Sequence, residues 1–228
     1  MGKSNASIRT VVTEPTINNN AENSKLYYFT KRLMDLTGAI IGLILNIPLF
    51  LLISIFYMFG ESKGPVFFKQ IRIGENGQKF YIYKFRSMLV NAEEKLKADK
   101  KLYKKYIANS YKLEPYEDPR ITRFGRFLRA TSLDEIPQLI NVLKGEMSLV
   151  GPRPVVEKEL EEYDSKRSVF LSVKPGVTGY WQVSGRSNVG YPERVDLELF
   201  YVYNKSFIFD IKILFKTIIV VFIKKGAY

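Results

Sequence analysis

Leu36–Phe59 reads LTGAIIGLILNIPLFLLISIFYMF, 24 consecutive positions without a charged side chain. As a helix rising about 1.5 Å per residue it reaches roughly 36 Å, enough for a hydrocarbon core of about 30 Å. A membrane helix is therefore the first expectation. Pro48 sits at the midpoint, where it disfavours helical geometry at Ile47 and leaves one backbone carbonyl without its donor. The basic flanks do not choose a side: Lys25, Lys31 and Arg32 precede the stretch, and Lys63, Lys69 and Arg72 follow it. A true span usually shows asymmetry. Two basic ends suit a re-entrant helix broken at Pro48, with both ends on the cytoplasmic face and Asn46 bonding a freed backbone group. Charge alone leaves a kinked span equally open.

Around this stretch the chain divides into a polar tail over residues 1–24, which lacks a signal-peptide pattern and reads as disordered, a membrane segment over 25–60, and a domain over 61–228. Lys and Arg number 35 against 23 acids, a formal charge of +12. Such a balance calls for an anionic partner: nucleic acid, an anionic membrane or a phosphate-bearing substrate. Nucleic acid is the weakest of these, because no reading motif accompanies the charge. The chain contains no histidine and no cysteine. Ser-His-Asp triads, thiol nucleophiles and His or Cys metal sites are excluded. Any chemistry rests on carboxylates, Lys, Tyr, Arg or a hard metal held by oxygen.

The domain reads as α+β and mostly helical. Gly64–Gly74 and Lys79–Met88 read as strands around the turn Glu75–Gln78. Asn91–Tyr111 reads as one charged helix, Glu114–Gly125 as loop, Pro137–Leu143 as a short helix, and Lys144–Pro154 as a turn. Helices are expected over Val155–Leu171, Asp196–Tyr203 and Phe207–Lys225, with Val173–Ser187 turn-rich between them. The last helix mixes bulky apolar and basic residues, as an interfacial helix does.

Asp134 and Glu135 stand side by side in RATSLDEIPQL. Ser132 and Glu135 have capping-box spacing, but Pro137 would then fall inside the helix and remove a bond. A helix starting nearer Pro137 leaves both carboxylates at its mouth. Arg120, Arg123, Arg126 and Arg129 recur every third residue upstream, and Lys84, Arg86, Arg153 and Arg186 sit in YKFRSM, GPRP and SGRS. Most basic residues are solvated surface charges. Arg153 and Arg186, however, lie in Gly- and Pro-rich turns whose backbone N–H groups also suit an anion. Arginine binds phosphate bidentately, and paired carboxylates beside phosphates suit Mg²⁺. The residues alone thus describe a membrane-seated enzyme acting on a phosphate-rich substrate, or a basic membrane-surface binding protein.

KRLMDL, GPVFFKQIRIG, YKFRSM, DPRITRFGRFLRATSLDEIPQLINVLKGEMSLVGPRP, KPGVTGYWQVSGRS and FDIKIL resemble the bacterial sugar transferases, monotopic phosphoglycosyl transferases, over roughly Lys25 to Lys225. The resemblance is to their short, single-domain form. It implies transfer of a sugar phosphate from a UDP-sugar to polyprenyl phosphate with release of UMP, at the start of surface-glycan synthesis on the inner membrane. It implies that Asp134 is the nucleophile and that Glu135 helps arrange Mg²⁺ and the diphosphate. It places Arg129, Arg186, Gln182 and Arg153 near the phosphates and makes Asp210 a supporting residue. It also implies a re-entrant helix broken at a Ser-Pro pair, where this chain has Ile47-Pro48. Glu198 is a second departure, standing where relatives often carry Asp. Neither the sugar nor the oligomeric state is legible.

Overall fold

The computed structural model describes residues 21–108, 113, 117–185 and 189–223, with side chains from 25 to 221. Most of the expected tail lies outside the described residues.

Helix α1 (Ala21–Phe56) carries the apolar stretch. Pro48 lies inside it and the helix continues past, so the expected break is not an interruption of the helix. Asn46 does not serve the carbonyl that Pro48 leaves bare; its Nδ2 donates to Gly42 O at 2.8 Å. Beyond the proline, Leu49, Phe50 and Ile53 pack with Tyr57 against Phe85 and Leu128, and that packing holds the segment in place.

One face of α1 lies along the domain. Arg32 donates to Val142 O and Leu143 O at 2.7 and 3.0 Å. Asp35 accepts from Ser148 Oγ and Leu149 N. Ala39 enters a core with Phe80, Ile82, Val142 and Met147. Gly38 and Gly42 permit this approach, because a Cβ at either would stand 2.6 Å from a Leu149 methyl or 2.8 Å from a Leu139 methyl. The opposite face exposes Ile40, Ile41, Ile44, Leu45, Ile47, Leu51, Leu52 and Ile55. The helix is long and apolar enough to cross a membrane, yet only 11% of its most apolar window is buried in the protein.

The expected hairpin forms. Strands β1 (Phe67–Ile73) and β2 (Lys79–Phe85) pair antiparallel, Phe67 facing Phe85 and Ile73 facing Lys79. The expected helix over 91–111 is instead α2 (Ala92–Ala98) and α3 (Lys100–Ala108). Asp99 separates them because its carboxylate accepts from Lys101 N and Leu102 N, capping the second. Helix α4 (Arg123–Thr131) begins inside the stretch read as loop, with Thr122 capping Gly125 N at 2.9 Å. Helix α5 (Gln138–Lys144) follows Pro137.

Strand β3 (Ser148–Val150) and strand β4 (Gly176–Thr178) form a parallel pair inside the two segments read as turns. Between them, the expected helix over 155–171 is a 3-10 run over Glu157–Lys166, interrupted by Asp164 at φ 42°, and one α-turn, α6 (Arg167–Phe170). Helices α7 (Tyr180–Ser184), α8 (Glu193–Asn204) and α9 (Phe207–Ile223) complete the domain. Asp210 ties the last helix to the first. Its carboxylate, fully buried, accepts from Tyr201 Oη at 2.7 Å and pairs with Lys31 Nζ at 2.9 Å.

Candidate active site

The acid pair sits where α4 ends and α5 begins. Ser132 takes the left-handed conformation at φ 58°, closing α4 with its N–H on Arg129 O. Its side chain makes no capping bond, so the capping-box spacing is not used. Leu133–Glu135 form a single 3-10 turn, and Pro137 precedes the next helix without removing a bond from it. Asp134 is thereby turned inward and buried, while the Glu135 side chain is 26% exposed.

Three basic side chains from different elements converge on the pair. Lys84, from β2, reaches Glu135 Oε1 at 2.7 Å. Arg153, from the turn after β3, stands 3.6 Å from the same oxygen. Arg129 is fixed by donating its Nε to Ser87 Oγ at 2.8 Å. Burial pushes the Asp134 carboxyl up to about 6; Glu135 adds to the rise, and Lys84, Arg129 and Arg153 oppose it. The carboxyl thus titrates just below neutrality, within reach of cations that favour its charged form.

The turn carrying Arg153 is set by backbone packing. A Cβ on Gly176 would stand 2.1 Å from Gly151 N, and one on Gly179 would stand 2.0 Å from Gly151 O. Only glycines allow the chain after β3 and the chain around β4 to meet this closely. Glu198 then accepts from Arg153 N at 3.1 Å and pairs with Arg194 at 3.2 Å. The Arg194 guanidinium lies 4.6 Å from the Trp181 ring, under the same turn.

An open cleft results, lined by Arg72, Lys84, Glu135, Gln138, Arg153 and Gln182 among others. Of the residues expected at the site, Asp134, Glu135, Lys84, Arg129, Arg153 and Gln182 are brought together. Arg86 is not. Its guanidinium is buried on the carbonyls of Ser62, Pro65 and Met88, where it ties the end of β2 to the segment after α1. Asp210 lies away from the cleft, in the contact between α1 and α9. Arg186 lies outside the described residues.

Arg72, Ser87 and Glu198 join the site's frame without having been read as site residues. Arg72 donates to Pro154 O at 3.3 Å, and burial lowers its pKa to about 10. A signal for it existed: in an antiparallel pair, Arg72 opposite Phe80 and Phe68 opposite Lys84 share one face of the hairpin.

Among the described residues no three carboxylates converge as a metal cage. The pair that is present fits Mg²⁺ nonetheless. Two adjacent carboxylates raise each other's charge cost, which a divalent cation relieves, and Mg²⁺ commonly takes one or two carboxylates with the remaining ligands from water and substrate phosphate.

Residues 26–224 match the family model described as bacterial sugar transferase. The chain belongs to the bacterial sugar transferase family. It is 47% identical over 203 residues to a Salmonella typhimurium protein named undecaprenyl-phosphate galactose phosphotransferase, a match covering 88% of this chain and 42% of that one. It is 45% identical over 203 residues to the exopolysaccharide production protein ExoY of Sinorhizobium fredii, covering 87% and 88%. A Klebsiella pneumoniae UDP-glucose:undecaprenyl-phosphate glucose-1-phosphate transferase is 39% identical over 208 residues, covering 87% and 41%. The chain therefore spans less than half the length of the first and third of these relatives, and most of the second.

Proposed function

We propose that this sugar transferase moves a sugar phosphate from a UDP-sugar to polyprenyl phosphate, releasing UMP and starting a surface polysaccharide. The observation that carries this reading is one buried carboxylate, Asp134, next to Glu135 and among the charges of Lys84, Arg129 and Arg153, beside a cleft that Glu135, Lys84 and Arg153 line. The relatives' names, with their undecaprenyl-phosphate and UDP-glucose substrates, agree with it.

A carboxylate oxygen of Asp134 attacks the phosphorus that bears the sugar. The bond from that phosphorus to the UMP oxygen breaks, and UMP leaves with the electron pair. An oxygen of polyprenyl phosphate then attacks the same phosphorus, Asp134 is released, and the product is a polyprenyl diphosphate sugar. Arg129 and Arg153 bind phosphate oxygens that gain charge, and Lys84 keeps Glu135 oriented beside the nucleophile. Asp134 and Glu135, with substrate oxygens, would hold Mg²⁺; when bound, the ion neutralises charge on the diphosphate.

The exposed face of α1 lies in lipid. Lys31, near the start of α1, and Tyr57, just past its end, are both bonded to the same domain, to Val150 O and Arg86 O. A helix crossing the bilayer would separate those positions by roughly 39 Å across two aqueous faces. Attachment of both to one domain supports entry and exit on one face, the cytoplasmic face of the inner membrane, where the nucleotide sugar is available.

The test is intact-protein mass after acid quenching, with UDP-sugar supplied and polyprenyl phosphate withheld. A mass gain equal to one phosphosugar, mapped to the peptide holding Asp134 and absent from Asp134→Asn, is the expected result. No covalent adduct under single-turnover conditions would overturn the nucleophile assignment.

A further inference from the structure

A second pocket shares no lining residue with the cleft at the acid pair. It lies between the first turns of α1, the start of β3, the turn before β4 and the end of α8. Four cations and two carboxylates line it: Lys31, Arg32, Lys174 and Lys205 against Asp35 and Glu75. Several of these are already engaged. Lys31 pairs with Asp210, Arg32 covers the last carbonyls of α5, and Asp35 accepts from β3.

Lys174 and Lys205 are different. Both are half-buried, and among the described residues neither has a hydrogen bond or an ion pair. The Lys205 ammonium stands 5.7 Å from the centre of the Tyr28 ring, which leaves its strongest electrostatic demand unmet. Two partly desolvated ammonium groups bordering one pocket favour an anion. Glu75 keeps the pocket from being uniformly positive, which disfavours a multiply charged phosphate and suits a singly charged phosphodiester. The surroundings add the second half of a ligand. Phe207 and Ile208, two and three residues after Lys205 at the start of α9, are exposed, and the half-exposed Tyr28 lines the pocket itself.

We propose that this pocket holds the headgroup of a membrane glycerophospholipid, with the phosphodiester between Lys174 and Lys205 and the acyl chains leaving past Tyr28 and the exposed start of α9. The bound lipid would fix the depth at which the two helices sit. The inference rests on the reading that the outer face of α1 lies in lipid, and not on the phosphoryl chemistry.

The test uses the full chain in detergent, with no UDP-sugar present, and native mass spectrometry of what it retains. The probes are phosphatidylglycerol, phosphatidylcholine and inorganic phosphate, each supplied alone. Wild-type protein is expected to retain one phospholipid and to bind inorganic phosphate far more weakly. The double variant Lys174→Gln/Lys205→Gln is expected to bind phosphatidylglycerol roughly thirtyfold more weakly. A charge-matched control, Lys95→Gln/Lys104→Gln on α2 and α3, is expected to match wild type. Equal retention by the double variant and wild type overturns the site, as does equal weakening in the control. Inorganic phosphate binding as tightly as the lipid overturns the lipid assignment. If the chain fails to associate with phosphatidylcholine–phosphatidylglycerol vesicles at all, the membrane reading falls. UMP release is measured separately, and its failure leaves lipid retention untouched.

Discussion

Replacing Asp134, the proposed nucleophile, should stabilise the protein. Asp134 is buried, and its carboxyl is raised from 3.8 to about 6, first by burial and then by Glu135. A rise of about two units is about 3 kcal/mol of penalty on the ionised form. Because the folded-state value is the higher one, proton binding favours the fold below the unfolded value, and that contribution is lost as pH rises through the folded value. The penalty on wild type is therefore absent at about pH 4, grows to about pH 6 and is constant above. Asp134→Asn presents a neutral group of the same shape at every pH. Near neutrality it should melt roughly 6–12 °C above wild type, given roughly 2–4 °C per kcal/mol for a chain of this size. At about pH 4 the two should coincide. Melting curves of both proteins in the same detergent across this range supply the comparison. A variant no more stable than wild type near neutrality, or one with the same gain at both ends of the range, would refute the reasoning that the site strains its own carboxylate.

Three further outcomes follow from the same geometry. Ser87→Ala removes the acceptor that orients Arg129, a charge-assisted bond of about 1.5–3 kcal/mol, so kcat/KM should fall about 10- to 100-fold with little change in melting. Asp210→Asn leaves the Lys31 ammonium without its buried counter-charge and should destabilise the fold by about 3 kcal/mol; chemical denaturation should show recovery in the double variant Lys31→Met/Asp210→Leu. The rate of covalent adduct formation should fall about tenfold per pH unit below about pH 6, as Asp134 takes up its proton, and a flat rate down to about pH 4 would contradict that assignment.

The parts of the fold with a long period were legible. The β1–β2 hairpin and α9 lie where alternation and apolar runs put them. The three-residue strands β3 and β4 were not, because three residues show no period and their pairing depends on glycines 25 positions apart, Gly151 and Gly176. Helix α4 was hidden by its composition: arginines at every third position read as surface charge, while Gly125 looked like a loop residue. Its true role is contact, since a Cβ there would stand 1.9 Å from Ser87 O. At the site, adjacency disclosed Asp134 and Glu135, and basic character disclosed Lys84, Arg129 and Arg153. The same criterion put forward Arg86, because a guanidinium that serves three backbone carbonyls is indistinguishable in sequence from one that serves a phosphate. Ser87 and Glu198 act through other residues, and only the assembled structure brings them to the arginines they hold.

The nucleotide released is the most direct measure of the central claim. Purified protein in detergent would receive Mg²⁺, polyprenyl phosphate and a panel of UDP-sugars. UMP, appearing only when Asp134 is intact, is the result expected, and the sugar that supports it identifies the donor. Release of UDP, or UMP release undiminished by Asp134→Asn, would contradict phosphosugar transfer through this carboxylate.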